Sequence, residues 1–297
     1  MKIFITILIF CTAIYANITN YKPIKACVEL NSNLYYAIRS FDINNKLYYL
    51  VVNPDRIKTY IVNINKTTQI KCPTTPNNYT ILRDFNNPKH PLQNDGITTP
   101  KNGIFLTTDL CPSSKKGFER RLYESLIKNF KNPVPVTLFI TKRWILKHRQ
   151  EFIQLKTWQK EGKLDITWGN HTAKHIYHPK LPLKENFVLS KEENMQSDIL
   201  ELEKYLLKNG VVPSVFFRFP GLVSNKKVAK KVKELGLITI GSNAWLAKGQ
   251  MPKNGSIILV HGNKNEPKGV DIFLKLIYNH KINSLKSIKD LNYQKIK

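Results

Sequence analysis

The pattern of apolar and polar residues divides the chain near residue 100. Before this point, apolar residues occur in short β-prone runs separated by turn sequences, and no stretch has the 3.6-residue period of a helix. The runs are residues 34–38, 46–52 and 58–63. We therefore predict a small β-rich N-terminal subdomain over residues 17–72. Residues 73–100 are rich in Pro, Asn and Thr and predict a linker.

From residue 101 onward, short apolar runs alternate with amphipathic stretches of helical period. The predicted strands are residues 104–108, 136–141, 164–168, 215–219, 238–241 and 256–260. The predicted helices are residues 118–131, 143–161, 190–209, 225–235 and 270–279. Such alternation is typical of parallel strands joined by right-handed crossovers. We predict an α/β fold over residues 101–297, a (β/α) barrel of six or seven parallel strands that need not close.

The first sixteen residues, MKIFITILIFCTAIYA, have one Lys, an apolar run and a small-x-small ending. This pattern predicts a secretory signal peptide cut after Ala16. The run is too short to span a bilayer comfortably, and we expect no transmembrane span after cleavage. The expected location is secreted, periplasmic or in the cell envelope.

Export changes the interpretation of the cysteines that remain after cleavage, which are Cys27, Cys72 and Cys111. In an oxidising compartment, two of three cysteines usually pair. Cys27 and Cys72 bracket the predicted β-rich subdomain, so we predict a disulfide between them. Cys111 is then left as a free thiol.

The chain is strongly basic, with 47 Lys and Arg against 21 Asp and Glu, a net charge of +26. An anionic envelope polymer is one partner that such a charge favours. The same composition is also what AT-rich codons produce, since Lys, Asn and Ile are all abundant. Nucleic acid is not an expected partner, because the charge is spread along the chain and secretion removes the protein from most nucleic acids.

Candidate chemistry gathers at one end of the predicted barrel. In (β/α) barrels the active site is built where the strands end, so the residues that follow each strand are the candidates for catalysis and binding. These positions hold an acid, two histidines, an arginine, a tryptophan and a third histidine. In chain order they are Asp109, His171, His175, Arg218, Trp245 and His261.

His171 and His175 are four residues apart, a spacing that on a helical turn directs both imidazoles to one side. Two such rings, with an oxygen ligand, can hold one divalent metal ion that keeps open positions. Such an ion activates water or polarises a carbonyl group. The sequence therefore predicts a hydrolytic metal centre.

Four segments in this order resemble a known family. They are Thr107-Thr108-Asp109-Leu110-Cys111, His171-Thr172-Ala173-Lys174-His175, Arg218-Phe219-Pro220-Gly221 and Leu259-Val260-His261. Over residues 101–290 the chain resembles the polysaccharide deacetylases with a NodB homology domain, a carbohydrate esterase family. The resemblance implies a distorted (β/α) barrel that removes N-acetyl groups from the amino sugars of a polysaccharide with a divalent metal ion, for which zinc is expected. Peptidoglycan, chitin-like polymers and exopolysaccharide all present such groups.

The resemblance also implies a role for each matching residue. Asp109 matches the general base, Arg218 the residue that orients it, and His261 the general acid. The metal ligands are matched by His171 and His175. Substrate binding is assigned to Trp245, at the position of a residue that shapes the acetyl pocket, and to Pro220.

The sequence departs from the family at Leu110, which stands where a second, metal-binding acid is expected. Three arrangements remain open: the metal keeps two histidines and more water, Asp109 moves into the ligand shell, or Cys111 contributes a thiolate. Our expectation is a site of His171, His175 and an oxygen of Asp109. The alternative function is a catalytically silent glycan-binding protein of the envelope on the same fold.

Overall fold

The computed structural model describes residues 17–85, 93–191 and 194–296, and the predicted signal peptide lies outside them. The N-terminal part is an antiparallel sheet of five strands in the order β4-β3-β2-β1-β5. Its strands are β1 (Ile18–Leu30), β2 (Asn33–Ile43), β3 (Lys46–Asn53), β4 (Lys58–Asn63) and β5 (Thr68–Ile70). The three predicted strands are confirmed, while β1 and β5 were not predicted.

The predicted linker contains a helix, α1 (Asn78–Asp84). Asn77 caps it, accepting from the Thr80 backbone N–H, while the Thr80 hydroxyl accepts from the Asn77 N–H. Tyr79 and Leu82 on this helix are buried between the N-terminal sheet and the barrel. Helix α1 of the predicted linker therefore packs as part of the folded protein.

Seven parallel strands form the second sheet, in the order β10-β9-β8-β7-β6-β12-β11. They are β6 (Ile104–Leu110), β7 (Val134–Ile140), β8 (Leu164–Asn170), β9 (Phe216–Phe217), β10 (Ile238–Thr239), β11 (Ala244–Trp245) and β12 (Ser256–His261). Strands β10 and β11 end the sheet and do not pair, so it is an incomplete, distorted (β/α) barrel. This confirms the predicted fold class and strand number.

The helices of this part cover the outside of the sheet. They are α2 (Arg120–Asn129), α3 (Lys142–Lys147), α4 (Arg149–Lys160), α5 (Met195–Lys208), α6 (Lys226–Glu234) and α7 (Pro267–Tyr278). The helix predicted over residues 143–161 is interrupted at His148, which separates α3 from α4. The one predicted from residue 190 begins at Met195, where the Asn194 side chain accepts from the Ser197 N–H. Within the described ranges, no helix is long and apolar enough to cross a membrane.

A buried ion pair joins the N-terminal sheet to helix α5. Arg39 of β2 donates from Nε and Nη2 to the two carboxylate oxygens of Glu203 on α5, at 2.7 and 2.9 Å. Its Nη1 donates to the Leu235 carbonyl, and the Tyr21 hydroxyl donates to Glu203. Because both charged side chains are 0–1% exposed, removal of either partner would strand a charge in the core.

The predicted disulfide is present: Cys27 and Cys72 are bonded, and Cys111 is a free, buried thiol. Cys27 lies on β1, and the bridge fastens the chain that follows the edge strand β5 to this neighbouring strand. The small subdomain is thus stabilised by a disulfide in addition to its apolar contacts with the barrel.

Candidate active site

The register of the parallel strands brings the predicted acid and general acid together. Strand β12 pairs with β6 so that His261 lies opposite Asp109, both at the carboxyl ends of their strands. Strand β8 ends at Asn170, which pairs with Phe217 just before Arg218. The side chains after β6, β8, β9 and β12 therefore meet at one rim, as the strand-end rule predicts.

Asp109 and Arg218 form a buried ion pair at the centre of this rim. Arg218 Nη1 lies 2.7 Å from Asp109 Oδ1, and the two side chains are 0% and 5% exposed. Burial alone would raise the pKa of Asp109, but the charges of Arg218, His171 and His261 hold it below its usual value. The carboxylate is therefore kept ionised.

The Arg218 guanidinium is fixed on all sides. Nη1 also donates to the Thr107 hydroxyl, Nε donates to the Ile240 carbonyl, and Nη2 donates to the Gly241 carbonyl. Its central carbon lies 4.3 Å from the centre of the Phe139 ring. This cage leaves Arg218 one orientation, in which it can hold Oδ1 of Asp109.

The two predicted metal histidines lie in a loop rather than on a helical turn. Thr172 and His175 have left-handed backbone conformations, with φ of 67° and 50°, and the His175 N–H donates to the Thr172 hydroxyl. The tight loop nevertheless brings the His171 and His175 rings to a centroid separation of 4.9 Å. The spacing therefore correctly predicted that the two rings lie close together. The predicted helical turn is wrong, because a loop brings them there.

Two groups of possible metal ligands occur in the described part of the chain, and Cys111 belongs to both. One contains Cys111, His171 and His175, and the other contains Asp109, Cys111 and His261, with the ligand atoms of each group within 4.8 Å of one another. Asp109 Oδ2 also lies 3.7 Å from His171 Nε2. The group with both histidines is completed by a sulfur atom, while Asp109 falls in the second group.

The chemistry of the first group fits a divalent metal ion. Nδ1 of His171 lies 2.8 Å from the Arg218 carbonyl, which leaves Nε2 directed toward Cys111. His175 Nε2 is buried and has no hydrogen-bond partner. Burial disfavours the thiolate of Cys111, but His175 and His171 outweigh this and lower the pKa of the thiol well below its usual value. A buried thiol biased toward its anion and two imidazole nitrogens are ligands that zinc accepts.

Leu110 points away from this group. Its side chain is fully buried in the apolar layer beneath α2, with Phe118, Leu122 and Tyr123. Because successive side chains of a strand alternate between faces, Asp109 and Leu110 face opposite sides of β6. An acid at position 110 would enter a hydrocarbon core in this backbone geometry.

His261 is held by a residue that sequence reasoning missed. Its Nδ1 lies 2.7 Å from Oε2 of Glu266, an ion-pair contact whose direction does not meet hydrogen-bond geometry. Burial opposes charge on His261, but Cys111, Glu266 and Asp109 raise the pKa of the imidazole to about 10. The imidazolium form, which can donate a proton, is thereby favoured. Glu266 belongs to no motif, and only its position after β12 could have indicated it.

The two predicted substrate-binding residues lie in different surroundings. Trp245 is partly exposed at the end of β11, donates from Nε1 to Glu266 Oε2 at 2.9 Å, and has its ring 6.0 Å from that of His261. Pro220 is buried at the start of a short 3₁₀ turn that follows Arg218. Trp245 therefore offers an accessible aromatic surface beside His261, whereas Pro220 shapes the turn.

Two families match parts of the chain. Residues 96–240 match the polysaccharide deacetylase family, and residues 19–84 match the RP012 protein N-terminal domain. Residues 96–240 therefore match a polysaccharide deacetylase domain, a region that contains three of the four motifs, those of residues 107–111, 171–175 and 218–221.

Solved structures with a similar fold include carbohydrate esterases. A family 4 carbohydrate esterase from Bacillus anthracis is 20% identical, with a TM-score of 0.49 over 75% of this chain and 96% of its own. PdaA of Bacillus subtilis, a family 4 carbohydrate esterase, is 21% identical, with a TM-score of 0.48 over 66% and 82%. The chitin deacetylase from Colletotrichum lindemuthianum is 18% identical, with a TM-score of 0.43 over 61% and 85%.

Proposed function

We propose that this protein is a secreted, metal-dependent hydrolase that removes N-acetyl groups from amino-sugar residues of a polysaccharide. The observation that carries the proposal is the buried Asp109–Arg218 pair, placed beside His171 and His261 at the rim of a polysaccharide deacetylase domain. A glycan-binding protein without turnover has no use for a caged, ionised carboxylate next to a protonated imidazole.

The residues divide the work of amide hydrolysis. Asp109 is the general base: Arg218 occupies Oδ1, and Oδ2 remains on the side of His171, where it can accept a proton from water. His261 is the general acid, which gives its proton to the nitrogen of the departing amino sugar. A divalent ion held by His171 and His175, zinc by expectation, would polarise the acetyl carbonyl and lower the pKa of its water.

Trp245 lies on the substrate side of His261. Its partly exposed ring is fixed by the bond to Glu266, and a rigid aromatic face suits the apolar methyl of an acetyl group or a sugar ring. We propose that Trp245 binds this part of the glycan. Pro220 contributes indirectly, by setting the turn that follows Arg218.

The proposed location and polymer follow from other features. A disulfide is typical of proteins outside the cytosol, and the first sixteen residues have the pattern of a signal peptide. The net charge of +26 favours a glycan that is anionic or lies among anionic envelope polymers. Peptidoglycan, chitin oligomers and an N-acetylated exopolysaccharide are therefore the substrates to compare.

The test is to incubate the zinc-loaded mature protein with each of these polymers and to measure released acetate and new free amines. We expect equal amounts of both from at least one polymer and none with His171→Ala, whose metal content should fall as well. Binding of a glycan without release of acetate, by a protein that carries zinc, would instead identify a silent glycan-binding protein.

A further inference from the structure

Cys111 occupies the place where the metal site lacks an acid. It is the first residue after β6 and is 7% exposed, and the residue between it and Asp109 is Leu110, which packs under α2. Alternation along the strand returns Cys111 to the face of Asp109. Its Sγ lies 3.5 Å from Nε2 of His171.

The separation of these two atoms has the value expected for neighbours in one tetrahedral shell. Zinc–sulfur and zinc–nitrogen bonds of about 2.3 and 2.05 Å at a tetrahedral angle place sulfur and nitrogen about 3.6 Å apart. The pair in the structure is at 3.5 Å. Asp109 Oδ2 lies 3.7 Å from His171 Nε2, longer than the about 3.3 Å that two 2.0 Å bonds would give.

The surroundings of the His171 and His175 imidazoles suit both rings to bind a metal ion. The Arg218 carbonyl occupies Nδ1 of His171, which fixes the ring and presents Nε2, the usual role of an outer partner of a metal-binding histidine. His175 Nε2 has no hydrogen-bond partner although it is buried, and a ring nitrogen of His175 lies within 4.8 Å of the ligand atoms of Cys111 and His171. A bound cation would satisfy this otherwise unpaired nitrogen.

We propose that the Cys111 thiolate is the third protein ligand of the metal ion, giving a Cys-His-His site of Cys111, His171 and His175 with one open position. The proposal rests on the proposed function only in taking a metal ion to be present. It resolves the conflict created by Leu110, because Asp109 stays outside the ligand shell and remains free to act as the base.

This ligand set determines which metals the protein selects. Thiolate is a soft ligand that favours zinc and cobalt, whereas magnesium, calcium and manganese prefer oxygen ligands. We therefore expect zinc to bind in the presence of a large excess of magnesium. Bound zinc should also protect Cys111, the one free thiol among the described residues, from alkylation by iodoacetamide.

The deciding experiment is optical spectroscopy of the mature protein loaded with Co²⁺. We expect an intense thiolate-to-cobalt charge-transfer band in the near ultraviolet, lost in Cys111→Ser. That variant should also lose zinc affinity by more than the about 10- to 100-fold that removal of an outer-shell partner costs. Cys111→Asp is the matched control, because a carboxylate can bind the metal but gives no sulfur band.

Absence of the band in the wild-type protein, or unchanged zinc affinity in a folded Cys111→Ser, would overturn the assignment. If Cys111→Ser does not fold, the wild-type spectrum and the protection of the thiol by stoichiometric zinc decide the question. Failure of the proposed function has a different signature. A charge-transfer band with no acetate release would support the thiolate ligand and reject the deacetylase function. Acetate release without the band would support the deacetylase function and reject the thiolate ligand.

Discussion

Arg218 Nη1 donates to two oxygen atoms at once, Oδ1 of Asp109 at 2.7 Å and the Thr107 hydroxyl at 2.8 Å. Asp109 and Thr107 lie two residues apart on β6, so they share one face of the strand. Arg218, which follows β9, thus binds two side chains at the end of β6. Its other two nitrogens are used by backbone carbonyls, so the carboxylate is held in one position.

Two replacements of Arg218 should distinguish the effect of its positive charge from its effect on the orientation of Asp109. Arg218→Lys keeps the positive charge but loses the planar guanidinium with its several fixed donors. We expect kcat to fall by at least about tenfold. The upper limit of the loss is the about 10²–10⁴-fold that a general base contributes. Arg218→Met strands the Asp109 charge and should lower the free energy of unfolding by about 3–5 kcal/mol. Rates of acetate release and urea unfolding measure the two effects. A lysine variant with the wild-type kcat would show that the orientation of Asp109 is unimportant.

Glu266 is predicted to position both His261 and Trp245. Glu266→Gln keeps an acceptor for Trp245 Nε1 but removes the charge beside His261, so kcat should fall while KM changes little. Glu266→Ala also frees the Trp245 ring and should raise KM. Steady-state kinetics on the preferred glycan distinguish the two variants. Equal kinetic constants in both variants and the wild type would remove Glu266 from the site.

The buried pair of Arg39 and Glu203 should control stability without touching the chemistry. Arg39→Met leaves Glu203 charged and unpaired in the core, and we expect a loss of about 3–5 kcal/mol in the free energy of unfolding. The double variant Arg39→Met, Glu203→Leu is the control and should recover most of that loss, because no charge is left behind. Urea unfolding followed by tryptophan fluorescence measures this. A double variant as unstable as the single one would contradict the explanation.

The strand-end rule made most of the site predictable. Hydrophobic runs located β6, β8 and β12, and the residues after them are those that the structure brings together. Elements with weak patterns were missed: β1 alternates imperfectly because it contains Lys and Pro residues and two register shifts, and α1 is only seven residues long. Pairing of strands and tertiary packing, rather than local propensity, define these elements.

Residues that act through tertiary contacts were harder to predict. Glu266 lies in the loop before α7, and nothing in its local sequence reveals that it reaches His261. The position of Cys111 could have been predicted from the sequence. Continued alternation beyond the end of β6 places Cys111 on the same face as Asp109 and leaves Leu110 on the opposite face. The family motif instead drew attention to position 110, whose side chain the structure packs under α2.

The zinc content and acetate release of Asp109→Asn, compared with the wild type, decide whether Asp109 is the general base. The amide has the same shape as the carboxylate but cannot take a proton from water. We expect one zinc per chain in both proteins, with acetate release reduced by about 10²–10⁴-fold in the variant. Loss of zinc from Asp109→Asn would make Asp109 a ligand, and full activity would show that it is not the base.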